Sequence, residues 1–214
     1  MVFLNPDEIS FPDPEFTQSE NGLLAVGGDL SPERILFAYQ LGLFPWFNPG
    51  EEILWWCPDS RFVLFPKDLK ISKSMKKIFR DDVFSFTENT CFRRVMEECQ
   101  NTYRKDQDGT WISEELINSF VILHQHGLAK SFEVWQGEEL VGGFYGLQFG
   151  KVFCGESMFA KVSNASKAGF IQFILKEDLE LIDCQIYSEH LESLGATMIS
   201  KIEYLKILKS NHES

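Results

Sequence analysis

Phe153-Cys-Gly-Glu-Ser-Met-Phe159 and its downstream echo Leu181-Ile-Asp-Cys-Gln185 are the stretches from which the fold is read. Each is an apolar run of strand length that carries polar groups: Glu156 in the first, Asp183 and Gln185 in the second. On an extended strand Asp183 and Gln185, two apart, share one face. A carboxylate beside an amide on one wall orients a donor or an acceptor, with Asp183 polarising Gln185. A buried carboxylate without a partner is costly, so these groups either face a polar cleft or hold a counter-charge. The residues leave both uses open, the plainer being that Glu156 and Asp183 cap turns or pair with a nearby Lys or Arg.

Working outward, Ser131 to Trp135, a turn at Gln136-Gly137-Glu138, Leu140 to Leu147, a turn near Gly150 and Val152 to Met158 predict a meander of strands. Gly142-Gly143 and Gly146 in the middle strand predict a bulge or a close backbone approach. Ser163-Asn-Ala-Ser-Lys167 caps a helix whose apolar positions are Phe170, Phe173, Ile174 and, at the margin, Leu175. After Leu181 to Ile186 come a short helix from His190 to Leu194, a brief strand at Met198-Ile199, and the capping box Ser200-Lys-Ile-Glu203 of a terminal helix. Meander, helix, strand and helix predict an α+β fold of acetyltransferase-like (GNAT-like) order with a mixed sheet. An acyl-CoA site of that fold would use a glycine-rich loop at a helix N-terminus. The segment Lys161-Val-Ser-Asn-Ala-Ser-Lys167 has no glycine, which disfavours CoA.

Upstream, Asn21 to Asp29 reads as a short strand ending in a glycine turn, and Ser31-Pro-Glu33 starts a helix that Gly42 stops. Gly27-Gly28 lacks the third glycine and the Gly-Lys-Ser/Thr of a phosphate loop, so it reads as a tight turn. Trp55 and Trp56 read as core. Trp46, between Pro45 and Pro49, is better placed as a stacking platform for a nucleobase, a contact worth about 1–3 kcal/mol. Trp111 lies where the polar loop Asn101–Gly109 meets a helix starting at Ser113; core packing is its simpler use. A small N-terminal domain is expected over residues 1–65 and a catalytic domain over 66–214.

The chain has 214 residues and a formal charge of −12. There is no apolar run long enough to span a bilayer and no secretory leader pattern. Five scattered cysteines without a Cys-x-x-Cys pair, and four histidines without ligand spacing, predict a reduced, cytoplasmic protein needing no metal or cofactor. The acidic balance argues against DNA binding by the general surface. One segment breaks it: Lys67 to Arg80 has six cationic residues against Asp68 alone. Lys73, Lys76, Lys77 and Arg80 follow i, i+3, i+4, i+7 spacing opposite Ile71, Met75, Ile78 and Phe79, predicting a helix with a cationic stripe. That stripe is either an ordinary solvated face or a seat for a phosphate-bearing partner such as RNA.

Taken in series, Gly22 to Pro32, Gly42-Leu-Phe-Pro-Trp46, Ile53 to Asp59, Gly109-Thr-Trp-Ile112, Leu140 to Gly146, Gly155-Glu-Ser-Met-Phe159, Asn164-Ala-Ser-Lys167, Ile182-Asp-Cys-Gln185 and Ser193-Leu-Gly-Ala196 closely resemble the bacterial leucyl/phenylalanyl-tRNA–protein transferases. The resemblance implies an enzyme that moves Leu or Phe from aminoacyl-tRNA to proteins beginning with Arg or Lys, marking them for degradation. It implies that Trp46 and Trp111 sandwich the terminal adenine, and that Phe153, Met158, Phe170 and Phe173 line the aminoacyl pocket, which Phe144 would narrow. Glu156 would meet the acceptor's basic side chain, Asp183 and Gln185 would orient and activate its amine, and Lys73, Lys76, Lys77 and Arg80 would hold the tRNA backbone. No membrane or DNA partner is implied. The competing expectations are another tRNA- or CoA-dependent acyltransferase of this fold, or a non-catalytic RNA- or N-degron-binding module.

Overall fold

Short apolar segments build the first sheet: β1 Val2–Leu4, β2 Leu23–Gly27, β3 Phe44–Pro45 and β4 Leu54–Trp56, in the order β1-β2-β4-β3. The computed structural model describes residues 1–17, 19, 21–102 and 110–212. After β2, Gly27 and Gly28 take φ of +86° and +78°, the tight turn expected of the pair. Helix α1, Pro32–Gln40, follows with Ser31 as N-cap, its side chain accepting from the Arg34 N–H. Arg34 is buried; it donates to Asp29 Oδ1 and to the carbonyls of Asn5 and Pro6, each at 3.1 Å, and so ties down the chain start. The sequence reading missed β1, whose short run has no local signal beyond Val2 and Phe3.

The second sheet is larger: β5 Ser60–Leu64, β6 Ser85–Glu88, β7 Ala129–Gln136, β8 Glu139–Phe149, β9 Val152–Ala160, β10 Leu181–Gln185 and β11 Thr197–Ser200. Its order is β11-β5-β10-β9-β8-β7-β6, with β9 and β10 parallel and the other pairs antiparallel. The molecule is therefore α+β with a mixed sheet, and the meander occupies β7 to β9. Strand β5 was not anticipated. It pairs with β10 and β11, so the chain joins the large sheet at Ser60, ahead of the expected division at residue 65.

The remaining helices are α2 Lys73–Arg80, α3 Phe92–Gln100, α4 Glu114–Gln125, α5 Ala165–Lys176, α6 Glu189–Glu192 and α7 Lys201–His212. The basic helix is shorter than the cationic segment. Pro66–Asp68 forms a separate 3-10 turn, and Ser72 caps α2 by accepting from the Met75 N–H. Helix α5 begins after Asn164, in the left-handed region at φ +68°, without a side-chain cap. The expected polar loop falls largely on residues 103–109, outside the described residues. One apolar core joins both sheets, bringing Leu24 and Trp55 together with Leu116 and Phe120 of α4 and Leu205 of α7. A second, rich in phenylalanine, fills the space between the large sheet and α5. Among the described residues no helix is long and apolar enough to cross a membrane.

Candidate active site

The parallel pairing of β9 with β10 ends at Asp183 opposite Cys154, and beyond it lies a cavity of about 490 Å³. Two strand irregularities aim side chains into it. Between β8 and β9 the register shifts so that Glu156 is the extra residue, and between β5 and β10 it shifts so that Cys184 is extra. Bulges of this kind re-aim side chains beside functional sites. Gly146 makes the first possible, because a Cβ there would stand 2.2 Å from the Cys154 carbonyl oxygen. As a result Gln185 Nε2 donates to Glu156 Oε1 across the opening at 2.8 Å.

The expected link between Asp183 and the Gln185 side chain is not what forms. Simple strand alternation fails at the Cys184 bulge, and Asp183 Oδ1 accepts the main-chain N–H of Gln185 at 2.9 Å instead. The Asp183 carboxylate is fully buried on Arg61, with Nε to Oδ1 at 2.7 Å and Nη2 to Oδ2 at 2.6 Å, and on the Tyr204 hydroxyl at 2.9 Å. The plainer of the two sequence readings, pairing with an arginine, therefore describes Asp183. Burial opposes the Arg61 charge, but the Asp183 carboxylate outweighs it and holds the guanidinium well above its ordinary pKa.

Glu156 has no such counter-charge. Its Oε2 is buried without a hydrogen-bond partner among the described residues, and the Tyr39 hydroxyl lies beside the group without meeting hydrogen-bond geometry. Burial, opposed by Tyr39 and reinforced by the Asp183 charge, pushes the Glu156 carboxyl up to about 8. The thiols of Cys154 and Cys184 are raised in the same way, first by burial and then by Asp183, which leaves both as inert apolar packing.

Trp46 and Trp111 both line the cavity. Trp46 is 38% exposed and braced by Trp56, whose ring lies 6.1 Å away and whose Nε1 donates to the Trp46 carbonyl at 2.7 Å. Trp55 is core, as expected, and bonds the Gly27 carbonyl. Of the residues expected in the aminoacyl pocket, Phe144, Met158 and Phe170 reach the cavity wall. Phe153 and Phe173 do not. They stand behind it, 4.7 Å from each other, and 6.0 and 5.3 Å from the Phe144 ring. Phe173 lies one helical turn beyond Phe170 on α5, too deep to reach the opening.

On α2 the side chains of Lys73, Lys76, Lys77 and Arg80 are exposed while Met75 is buried. Arg80 pairs with Asp81 at 3.1 Å; among the described residues Lys73, Lys76 and Lys77 meet no carboxylate. Helix α2 packs on α5, which carries Phe170 to the cavity. The sequence reading missed Arg61, Tyr39, Tyr204 and His190, the last of which lines the cavity. Arg61 had a usable signal, a lone charge in the apolar run Ser60-Arg-Phe-Val-Leu64. The two tyrosines had none, since each is brought to the site by a helix remote in sequence.

The sequence model for leucyl/phenylalanyl-tRNA protein transferase matches residues 63–209, and that for the N-terminal domain of the same proteins matches residues 28–59. A leucyl/phenylalanyl-tRNA–protein transferase of Flavobacterium johnsoniae is 55% identical over 213 residues, covering 98% of this chain and 100% of its own. Its counterpart in Christiangramia forsetii is also 55% identical, covering 97% and 100%, and that of Cellvibrio japonicus is 50% identical, covering 96% and 89%. Among solved structures, a GCN5-related N-acetyltransferase-like protein from Streptococcus suis aligns over 66% of this chain and 60% of its own with a TM-score of 0.37 and 17% identity, a likeness too weak to carry weight.

Proposed function

The chain belongs to the leucyl/phenylalanyl-tRNA–protein transferase family, and on that premise we propose that its cavity holds a Leu- or Phe-bearing tRNA end and presents it to the α-amine of a protein beginning with Arg or Lys. The enzyme is an aminoacyltransferase. The observation that carries the reading is that Trp46, Trp111, Met158, Glu156 and Gln185 line one cavity. Trp46 and Trp111 present indole faces for the terminal adenine. Phe144, Met158 and Phe170 offer the transferred side chain an apolar wall, which sorts by size and so suits both Leu and Phe. Phe153 and Phe173 support that wall from behind. Lys73, Lys76, Lys77 and Arg80 give the tRNA backbone a sequence-blind seat.

The chemistry asks little of the protein. An aminoacyl ester is already activated, and holding an amine against its carbonyl supplies most of what is needed. A C–N bond forms, the ester C–O bond breaks, and the amine's proton ends on the departing ribose hydroxyl. With Gln185 Nε2 engaged by Glu156, the Gln185 Oε1 is oriented to accept from the incoming amine. Glu156 also offers its unpartnered Oε2 to the basic side chain of the acceptor. A cation there stabilises the carboxylate and draws off the proton that burial otherwise retains. The test is transfer of labelled Phe from charged tRNA to peptides beginning with Arg, Lys or Met. Labelling of the first two is expected. Binding of charged tRNA without labelling would point to an RNA-binding module, and thermal stabilisation by CoA alone to an acetyltransferase.

A further inference from the structure

Gln185 occupies a backbone conformation that side-chain-bearing residues rarely adopt, with φ +63°. The Ile186 N–H donates to the Cys184 carbonyl at 2.8 Å, closing a three-residue γ-turn with Gln185 at its centre. With positive φ at the centre this is the rarer, strained form of that turn. Such strain persists only where the surroundings over-determine it, and it gathers at functional sites. Here the restraint is the bond from the Gln185 N–H to Asp183 Oδ1.

Asp183 is in turn immobilised. Its two oxygens accept four hydrogen bonds: Arg61 Nε and the Gln185 N–H on Oδ1, Arg61 Nη2 and the Tyr204 hydroxyl on Oδ2. A carboxylate has about four lone-pair sites, so none is left for a substrate amine. The Arg61 guanidinium is itself held between aromatic faces, 4.7 Å from the Phe44 centroid and 4.5 Å from that of Tyr204. Phe44 lines the cavity two residues before Trp46, so one cation braces both the strand bearing Gln185 and the segment bearing the indole.

We propose that Arg61 and Tyr204 are positioning residues for transfer, acting through Asp183 to lock the Gln185 turn so that its side-chain amide meets Glu156 and faces the cavity. Asp183 is on this account an anchor and not a base. The proposal rests on the reading in which Gln185 meets the acceptor amine, and the experiment separates the two.

Tyr204→Phe removes one oxygen from a site that remains filled. We expect kcat to fall about tenfold or more, the scale of one hydrogen bond to a charged group, with KM for charged tRNA and acceptor peptide near the wild-type values. Gln185→Ala is expected to fall further. Under single-turnover conditions Tyr204→Phe added to Gln185→Ala should cost nothing more, because the hydroxyl acts through the turn that is already disabled. Losses that multiply in the double variant, or an unchanged kcat in Tyr204→Phe alone, would overturn the proposal. Full activity in Gln185→Ala would instead overturn the role given to Gln185. Asp183→Asn keeps an oxygen for the Gln185 N–H and leaves Arg61 in place, so it should recover part of the activity lost in Asp183→Ala. Equal inactivity in a folded protein would return Asp183 to a direct role.

Discussion

Two buried arginines each meet an aspartate, Arg34 on α1 and Arg61 on β5, and the two pairs are built differently. Arg34 meets Asp29 only five residues away, at a carboxylate whose side chain is 37% exposed. Arg61 meets Asp183 across 122 residues with both side chains sealed from solvent. Asp29 is a turn residue: burial works against its ionisation, the Ser31 and Arg34 hydrogen bonds outweigh that, and its carboxyl sits below the ordinary carboxylate value. The Arg34 guanidinium spends its other bonds on the carbonyls of Asn5 and Pro6, which fixes where the chain starts. The Arg61 pair fixes the strand on which chemistry is proposed. A local ion pair can organise a turn while a non-local, dehydrated one can hold a strained backbone, because only the latter is too costly to break.

The strongest way to break this contrast is Asp183→Ala. It leaves a buried guanidinium without its counter-charge, which should lower unfolding free energy by about 3–5 kcal/mol in urea titrations, and transfer should be lost with it. A loss no larger than that of an exposed pair would erase the distinction. Asp29→Ala is expected to cost less, about 1–3 kcal/mol: the Arg34 guanidinium is buried as well, but it keeps its two carbonyls and the carboxylate that is lost is partly exposed. Its rate of transfer should match the parent protein; a slowed rate would show that the first pair also reaches the cavity.

A further effect, spread over a range of pH, concerns the carboxyl that has no cation. Glu156 holds its proton up to about 8 in the folded chain against an ordinary value of 4.5, so between those values the native state binds more protons than the unfolded one. That part of the stability is complete below about pH 4.5 and is lost as pH rises through 8. Glu156→Gln should remove the decline over that window, measured as unfolding free energy against pH. An unchanged slope would mean that Glu156 titrates normally and that its surroundings are wetter than described.

What was legible in the sequence follows the range of the interaction. Ser31, Ser113 and Ser200 announced their helices because a cap acts within three residues, and the meander announced itself through its turns. Glu156, Gln185, Trp46 and Trp111 stood out because polar or bulky aromatic groups sat in odd local company. Their geometry did not stand out. The Cys184 bulge reverses the alternation on which the Asp183–Gln185 reading relied, and a bulge depends on the neighbouring strand. Arg61 also sat in odd local company, but its partner did not show, since the short strand carrying it is stabilised by β10 and β11 from the far end of the chain. Phe153 and Phe173 looked like Met158 and Phe170 in pattern, and only depth in the packed core separates them.

The exposed lysines of α2, which meet no carboxylate among the described residues, give the surface a direction. Long-range fields of this kind change how partners collide more than how tightly they settle. A polyanion drifting toward the bulk of this acidic surface is turned away, and one approaching the ridge is drawn in, so unproductive encounters are discarded before contact. Because α2 rests on α5, the ridge and the cavity ride on adjoining helices. On the proposed reading, a tRNA held by its phosphates on this ridge would sit on the helix next to the one that carries Phe170 to the cavity, which would couple capture to delivery.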